Sequence, residues 1–200
     1  MAVKDQIEAR LREREQWALR RQTGIPNNKR LWVLTCMDER IPVNEALGIE
    51  EGDAHVYRNA GALATDDAVR SAMLTTQFFG TKEIIVLAHT ECGMMSACAD
   101  DLVKALRSKG IDPDAVQLDP TLPELRIEKG AFGKWIRMFE DVDATVTAQA
   151  EALRKSPLIP KDVTISAYVY EVESRTLRRP YEIVSARVNT YAAMTSQGKK

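Results

Sequence analysis

Apolar residues recur along this chain in two rhythms, and the rhythms divide it into elements. From residue 3 to about 21 there is no proline or glycine, and Val3, Ile7, Leu11 and Ala18, with Trp17 beside them, form a narrow stripe of helical spacing among charges. This predicts an amphipathic N-terminal arm over about residues 1–24, ended by Gly24 and Pro26, whose seam packs on another subunit or across its own core. Leu31-Trp32-Val33-Leu34 and Ile84-Ile85-Val86-Leu87-Ala88 are unbroken apolar runs of strand length. Strands buried on both faces of a parallel sheet have this pattern. Between them lie a short strand, Ala54-His55-Val56-Tyr57, and a helix entered through Thr65-Asp66-Asp67 and closed by Gly80, with Val69, Ala72, Met73, Thr76 and Phe79 on one face.

After Gly93 a further helix is predicted to about residue 109, followed by an insertion over about 111–141 that carries Pro113, Pro120 and Pro123. Residues 131–154 take up helical spacing again and put Phe132, Trp135 and Phe139 on one face. Val163, Ile165, Ala167 and Val169 then alternate with Thr164, Ser166, Tyr168 and Tyr170, a last strand with one face less buried than the other. Glu173 to Arg175 turn into a short partner strand, a late antiparallel edge, and the final dozen residues fray. Strand, helix, strand at these spacings is an α/β fold with a mostly parallel central sheet flanked by helices. Residues 1–200 are expected to form one domain.

Composition narrows the function classes. With 28 Lys and Arg against 29 Asp and Glu, a net charge of -1 does not supply the basic face that counterion release on nucleic acid requires. The chain opens with Lys4, Asp5, Glu8 and Arg10, and no run approaches the roughly 18 apolar residues of a membrane span, so a soluble, cytoplasmic protein is expected. Three cysteines are too few, and odd in number, for a disulfide scaffold. In a reducing compartment each is a buried thiol, a nucleophile or a metal ligand.

Their positions separate these roles. The first apolar strand runs into Cys36-Met37-Asp38-Glu39-Arg40 and the second into His89-Thr90-Glu91-Cys92-Gly93. Ligands of open parallel sheets bind beyond the carboxyl ends of strands, where Cys36, His89 and Cys92 would converge. Two sulfurs and one nitrogen suit a tetrahedral zinc ion, one per subunit, with a fourth position open for water or substrate. If the chain stays extended past Thr35, then Cys36, Asp38 and Arg40 share a side, so that Arg40 can hold Asp38 ionised beside the metal. There Asp38 either orients a zinc-bound water or takes the fourth position and shuts the site. Cys98 lies about 240° round a helix from Cys92 and is assigned to packing, as is the mid-strand His55. As a fourth ligand Cys98 would instead make a closed, non-catalytic structural zinc module.

Cys-x-Asp-x-Arg at Cys36 to Arg40, Arg58-Asn59-Ala60-Gly61, and His-x-x-Cys-Gly at His89 to Gly93 together resemble the β-class carbonic anhydrases. Gly24-Ile25-Pro26-Asn27-Asn28, Thr81-Lys82-Glu83-Ile84-Ile85-Val86 and Leu158-Ile159-Pro160-Lys161-Asp162-Val163 resemble more particularly the carbon disulfide hydrolases, a branch of that fold. The resemblance implies a β-carbonic-anhydrase-like fold, zinc on Cys36, His89 and Cys92, an Asp38-Arg40 catalytic dyad, and a site at a subunit interface of a homo-oligomer, at least a dimer and possibly a ring of dimers. It implies hydrolysis of carbon disulfide to hydrogen sulfide and carbon dioxide through carbonyl sulfide, with carbon dioxide hydration and carbonyl sulfide hydrolysis as alternatives. Glu39 and the insertion depart from the short carbonic-anhydrase pattern. The metal site itself meets the same electrophilic carbon in all three small, uncharged triatomics, so selectivity must come from access. Leu118, Leu122, Leu125, Phe132, Trp135 and Phe139 of the insertion have the composition of an apolar passage or of a subunit interface.

Overall fold

The structure, a computed structural model, describes residues 26–114 and 116–181 together with Val3, Lys4 and Gln6. These last three are helical, while the rest of the N-terminal arm and the fraying C-terminal dozen lie outside the described residues. Strands β1 (Leu31–Cys36), β2 (Ala54–Asn59), β3 (Glu83–His89), β4 (Thr164–Glu171) and β5 (Thr176–Arg178) form one sheet in the order β2-β1-β3-β4-β5. All pairings are parallel except the antiparallel β4–β5 edge. The helices are α1 (Val43–Leu47), α2 (Asp66–Gln77), α3 (Gly93–Ser96), α4 (Ala99–Ser108), α5 (Phe132–Ile136) and α6 (Val142–Lys155), with a 3-10 turn at Ala60–Ala62.

The unbroken apolar runs are explained by two cores, one on each face of the sheet. Trp32 and Leu34 of β1 pack with Ile84 and Val86 of β3 against Ala68 and Ala72 of α2 and Val146, Ala150 and Leu153 of α6. Leu31 and Val33 point the other way and pack in a second cluster with Leu87, Ile41, Leu63 and Tyr170, which Cys36 joins at the strand end. Period-two side-chain alternation with both faces covered requires apolar residues at every position. Helix α2 begins where its acidic turn predicts: Thr65 caps it by accepting from the Ala68 amide, and Asp66 and Asp67 complement its dipole.

Three expectations are corrected. The helix after Gly93 is two helices, because Ala97 and Cys98 are extended and Cys98 is the N-cap residue of α4. Its thiol is exposed rather than packed. The stretch 131–154 is likewise broken: Arg137 ends α5 in the left-handed region (φ +56°), and Asp141 starts α6 by accepting from the Asp143 and Ala144 amides. Phe132, Trp135 and Phe139 therefore do not share one face; Phe132 is buried, Trp135 is 45% exposed, and Phe139 packs outside any helix against the core. The last strand keeps the expected asymmetry: Ile165 and Val169 on one face are buried, while on the other Thr164 is exposed, Ser166 and Tyr168 are half-buried and only Tyr170 at the end is buried.

The chain order fixes where a ligand can sit. It passes from β1 to β2 on one side, then crosses to β3 on the other, so the winding reverses between β1 and β3. At such a reversal the loops leaving the carboxyl ends of two neighbouring strands diverge and open a crevice.

Candidate metal centre

Both strands at the reversal end in ligand-type residues: Cys36 is the last residue of β1 and His89 the last of β3. Beyond His89 the chain turns through Glu91, which adopts φ +56°, and brings back Cys92, the N-cap residue of α3. The ligand atoms of Cys36, His89 and Cys92 all lie within 4.8 Å of one another, and the three residues are buried. The Cys36 and Cys92 sulfurs are 3.9 Å apart, far beyond the roughly 2.05 Å of a disulfide. Two sulfurs at about 2.3 Å from one tetrahedral ion stand roughly 3.8 Å apart, so the pair has the separation that zinc imposes.

Two further observations fit a metal. His89 is 1% exposed, yet neither Nδ1 nor Nε2 has a hydrogen-bond partner. An unpaired buried polar group costs about 1–3 kcal/mol, which coordination of a ring nitrogen removes. The two thiols also oppose each other: the contact with Cys92 holds Cys36 below the usual thiol range, while the same contact and burial push Cys92 up. A cation removes that competition by accepting both as thiolates.

Beside this trio Asp38 and Arg40 come together as expected, but by a different route. The chain leaves β1 after Cys36 and turns at Glu39 and Arg40 rather than remaining extended. The turn lets Arg40 fold back on Asp38: Nε donates to Oδ1 at 2.9 Å and Nη2 to Oδ2 at 2.8 Å. The Arg40 amide donates to Oδ1 as well, at 3.0 Å. These bonds hold the Asp38 carboxyl well below the usual carboxylate range despite its partial burial. Its Oδ2 stands 3.8 Å from His89 Nε2, too long for a hydrogen bond but close enough to face the trio. Arg40 then spans to the second strand end, with Nη1 donating to Glu91 Oε2 and Nη2 to the Glu91 carbonyl, each at 3.0 Å.

Other residues hold this frame, and spacing alone did not single them out. Arg58 at the end of β2 donates to the carbonyls of Cys36 at 2.9 Å and Asp38 at 2.6 Å, fixing the turn that carries both. The Gly61 amide donates to Cys36 Sγ at 3.4 Å. Its signal was the Arg-Asn-Ala-Gly stretch, visible only through family resemblance. His55 keeps its packing role: Nδ1 is 2.7 Å from Thr75 Oγ1, and its ring meets Phe79 edge-on. A cavity of about 210 Å³ opens on the site, walled by Cys36, Met37, Asp38, Glu39, Ala60, Cys92, Gly93 and Met94. The insertion supplies none of these wall residues.

The family profile described as carbonic anhydrase matches residues 31–177, which carry every residue of this site. The chain belongs to the carbonic anhydrase family. Within that family it is 59% identical to a carbon disulfide hydrolase of Acidithiobacillus thiooxidans, over 97% of this chain and 98% of that one. It is 32% identical to β-carbonic anhydrase 1 of Mycobacterium bovis, over 76% of this chain and 83% of that one. Among solved structures, the apo form of a carbon disulfide hydrolase superposes with a TM-score of 0.76 at 50% identity, covering 99% of this chain and 98% of its own. The α/β fold with its parallel sheet and antiparallel edge is thus the carbonic-anhydrase fold of the β class.

Proposed function

We propose that this carbonic-anhydrase-family protein is a zinc-dependent carbon disulfide hydrolase. It would convert carbon disulfide and two waters, by way of carbonyl sulfide, into carbon dioxide and two molecules of hydrogen sulfide. The observation that carries the reading is 59% identity to a carbon disulfide hydrolase over nearly the full length of both chains, against 32% to a β-carbonic anhydrase over about three quarters of this one. The buried Cys36, His89 and Cys92 trio supports the metal, and these three are the proposed ligands. When bound, zinc supplies a Lewis acid that brings the pKa of water down toward about 7.

The chain's own residues would do the rest. Asp38, kept ionised by Arg40, accepts a hydrogen bond from the attacking water at Oδ2 and so aims its lone pair at the substrate carbon. Arg40 holds that carboxylate at two points, so Asp38 cannot rotate away without breaking both. Met37, Ala60 and Met94 offer the apolar surface that an uncharged triatomic prefers. We further propose a homo-oligomer, at least a dimer. The solvent-facing Phe78 and Met37, 73% and 67% exposed in the single chain, give a second copy apolar surface to cover. Three unpaired thiols fit a reducing cytoplasm. Among the described residues no helix is long and apolar enough to cross a membrane.

The test is a headspace sulfide assay run beside a pH-indicator assay of carbon dioxide hydration on the zinc-loaded protein. Sulfide release from carbon disulfide is the expected result; proton release from carbon dioxide without any sulfide would make it a carbonic anhydrase.

A further inference from the structure

The charges around the site do not cancel, and the remainder rests on one residue. Zinc and two thiolates would sum to zero. Among the ionised side chains next to them, Asp38 is offset by Arg40, which also pairs with Glu91, and the exposed Arg58 adds a second cation against the back of the turn. Two carboxylates and two guanidinium groups leave Glu39. Its backbone forms part of the turn, it lines the site cavity, and it also lines the adjoining cavity of about 400 Å³ beside Arg40, Glu45 and Arg175. Among the described residues no hydrogen bond or ion pair engages its carboxylate. Asp38 one position earlier is bound by three hydrogen bonds from Arg40, so that guanidinium is already committed.

We propose that Glu39 is a specificity-determining residue, which sets the site against anions and leaves it open to uncharged substrates. The inference rests on the carbon disulfide reading, since it concerns which ligands that site admits. Bicarbonate and hydrosulfide are both anions that a bare zinc centre attracts. An unneutralised carboxylate at the cavity mouth raises the cost of their approach and of product retention, while carbon disulfide and carbonyl sulfide, being uncharged, feel almost nothing. Asp38 cannot serve this purpose, because Arg40 neutralises it.

The probe is azide, an anion that ligates zinc and needs no turnover, titrated calorimetrically into zinc-loaded parent, E39Q and E39D at low and high sodium sulfate. E39Q should bind azide about five- to tenfold more tightly at low ionic strength, narrowing to about twofold or less when salt screens the charge. E39D, which keeps the charge, should stay with the parent. An azide affinity unchanged in E39Q, or a change of equal size at both salt concentrations, would overturn the proposal; so would the absence of azide binding in all three proteins. Because azide titration does not depend on the substrate, a parent that releases no sulfide would defeat the carbon disulfide reading without deciding the role of Glu39.

Discussion

Replacing Gly61 with alanine tests whether the turn beneath Cys36 is as tightly determined as its geometry implies. Gly61 sits at φ +83°, and a Cβ there would stand 2.9 Å from Phe139 Cε1, 3.2 Å from Met94 Cγ and 3.4 Å from Leu63 Cγ. An L-residue forced into the left-handed region loses about 1–2 kcal/mol, and overpacking a filled core costs a further 1–3 kcal/mol or so. The sum is about 2–5 kcal/mol, which for a chain of this length lowers Tm by roughly 5–15 °C. Gly133 supplies the control. It lies inside α5 in an ordinary helical conformation, where an added Cβ would meet nothing nearer than Ala99 Cβ at 3.9 Å. Gly133→Ala should therefore leave stability unchanged or raise it by up to about 1 kcal/mol. Both variants and the parent are unfolded in urea and by heat at one protein concentration, without added metal. A Gly61→Ala protein as stable as the parent, or a Gly133→Ala protein that loses as much, would refute the argument. Since the Gly61 amide also donates to Cys36 Sγ, the folded fraction of Gly61→Ala should bind zinc more weakly in a chelator competition.

Asp38→Asn should lower sulfide release by about a hundredfold or more while zinc content, measured by elemental analysis, stays near one per chain. Arg58→Ala removes the donor to the Cys36 and Asp38 carbonyls and should weaken zinc binding about 10–100-fold, read by chelator competition, with the secondary structure intact by circular dichroism. The low pKa of Asp38 gives a pH dependence of stated sign in the metal-free protein. A carboxyl depressed by folding contributes stability above its unfolded value, about 3.9, and loses it as pH falls toward the folded value. The stability deficit of Asp38→Asn against the parent should thus be constant from pH 8 to 5 and shrink below about pH 4; a deficit that grows on acidification would contradict the pairing with Arg40.

How much of this was legible in the sequence depends on whether a feature is set locally. The two central strands were plain because Trp32 and Leu34 face one core while Leu31 and Val33 face the other, so burial on both sides writes itself into consecutive apolar residues. The start of α2 was plain because Thr65 and two aspartates satisfy it without outside help. Cys98 went astray for the opposite reason. Residues 93–108 have helical spacing, and nothing in that spacing marks the extended Ala97 and Cys98 between two helices. The argument from helical rotation therefore had no continuous helix to act on. Arg137 similarly breaks a stretch whose apolar periodicity is unbroken, in a left-handed conformation that arginine has no intrinsic preference to adopt.

The site shows how residues can be expected to meet, and do meet, although the local picture behind the expectation does not hold. Alternation along an extended segment put Asp38 and Arg40 on the side of Cys36, but the chain there is a turn, and alternation does not apply to it. What brings the pair together is closure by partners distant in sequence. Arg58, on β2, holds the Cys36 and Asp38 carbonyls; Glu91, on the loop after β3, receives Arg40 through both its carboxylate and its carbonyl. Each of these contacts joins two strand ends that are neighbours only because β1 lies between β2 and β3. The position of Asp38 is thus a property of the sheet order more than of the five residues that contain it. The five residues from Cys36 to Arg40 therefore meet His89 and Glu91 only in a sheet that sets β1 directly beside β3.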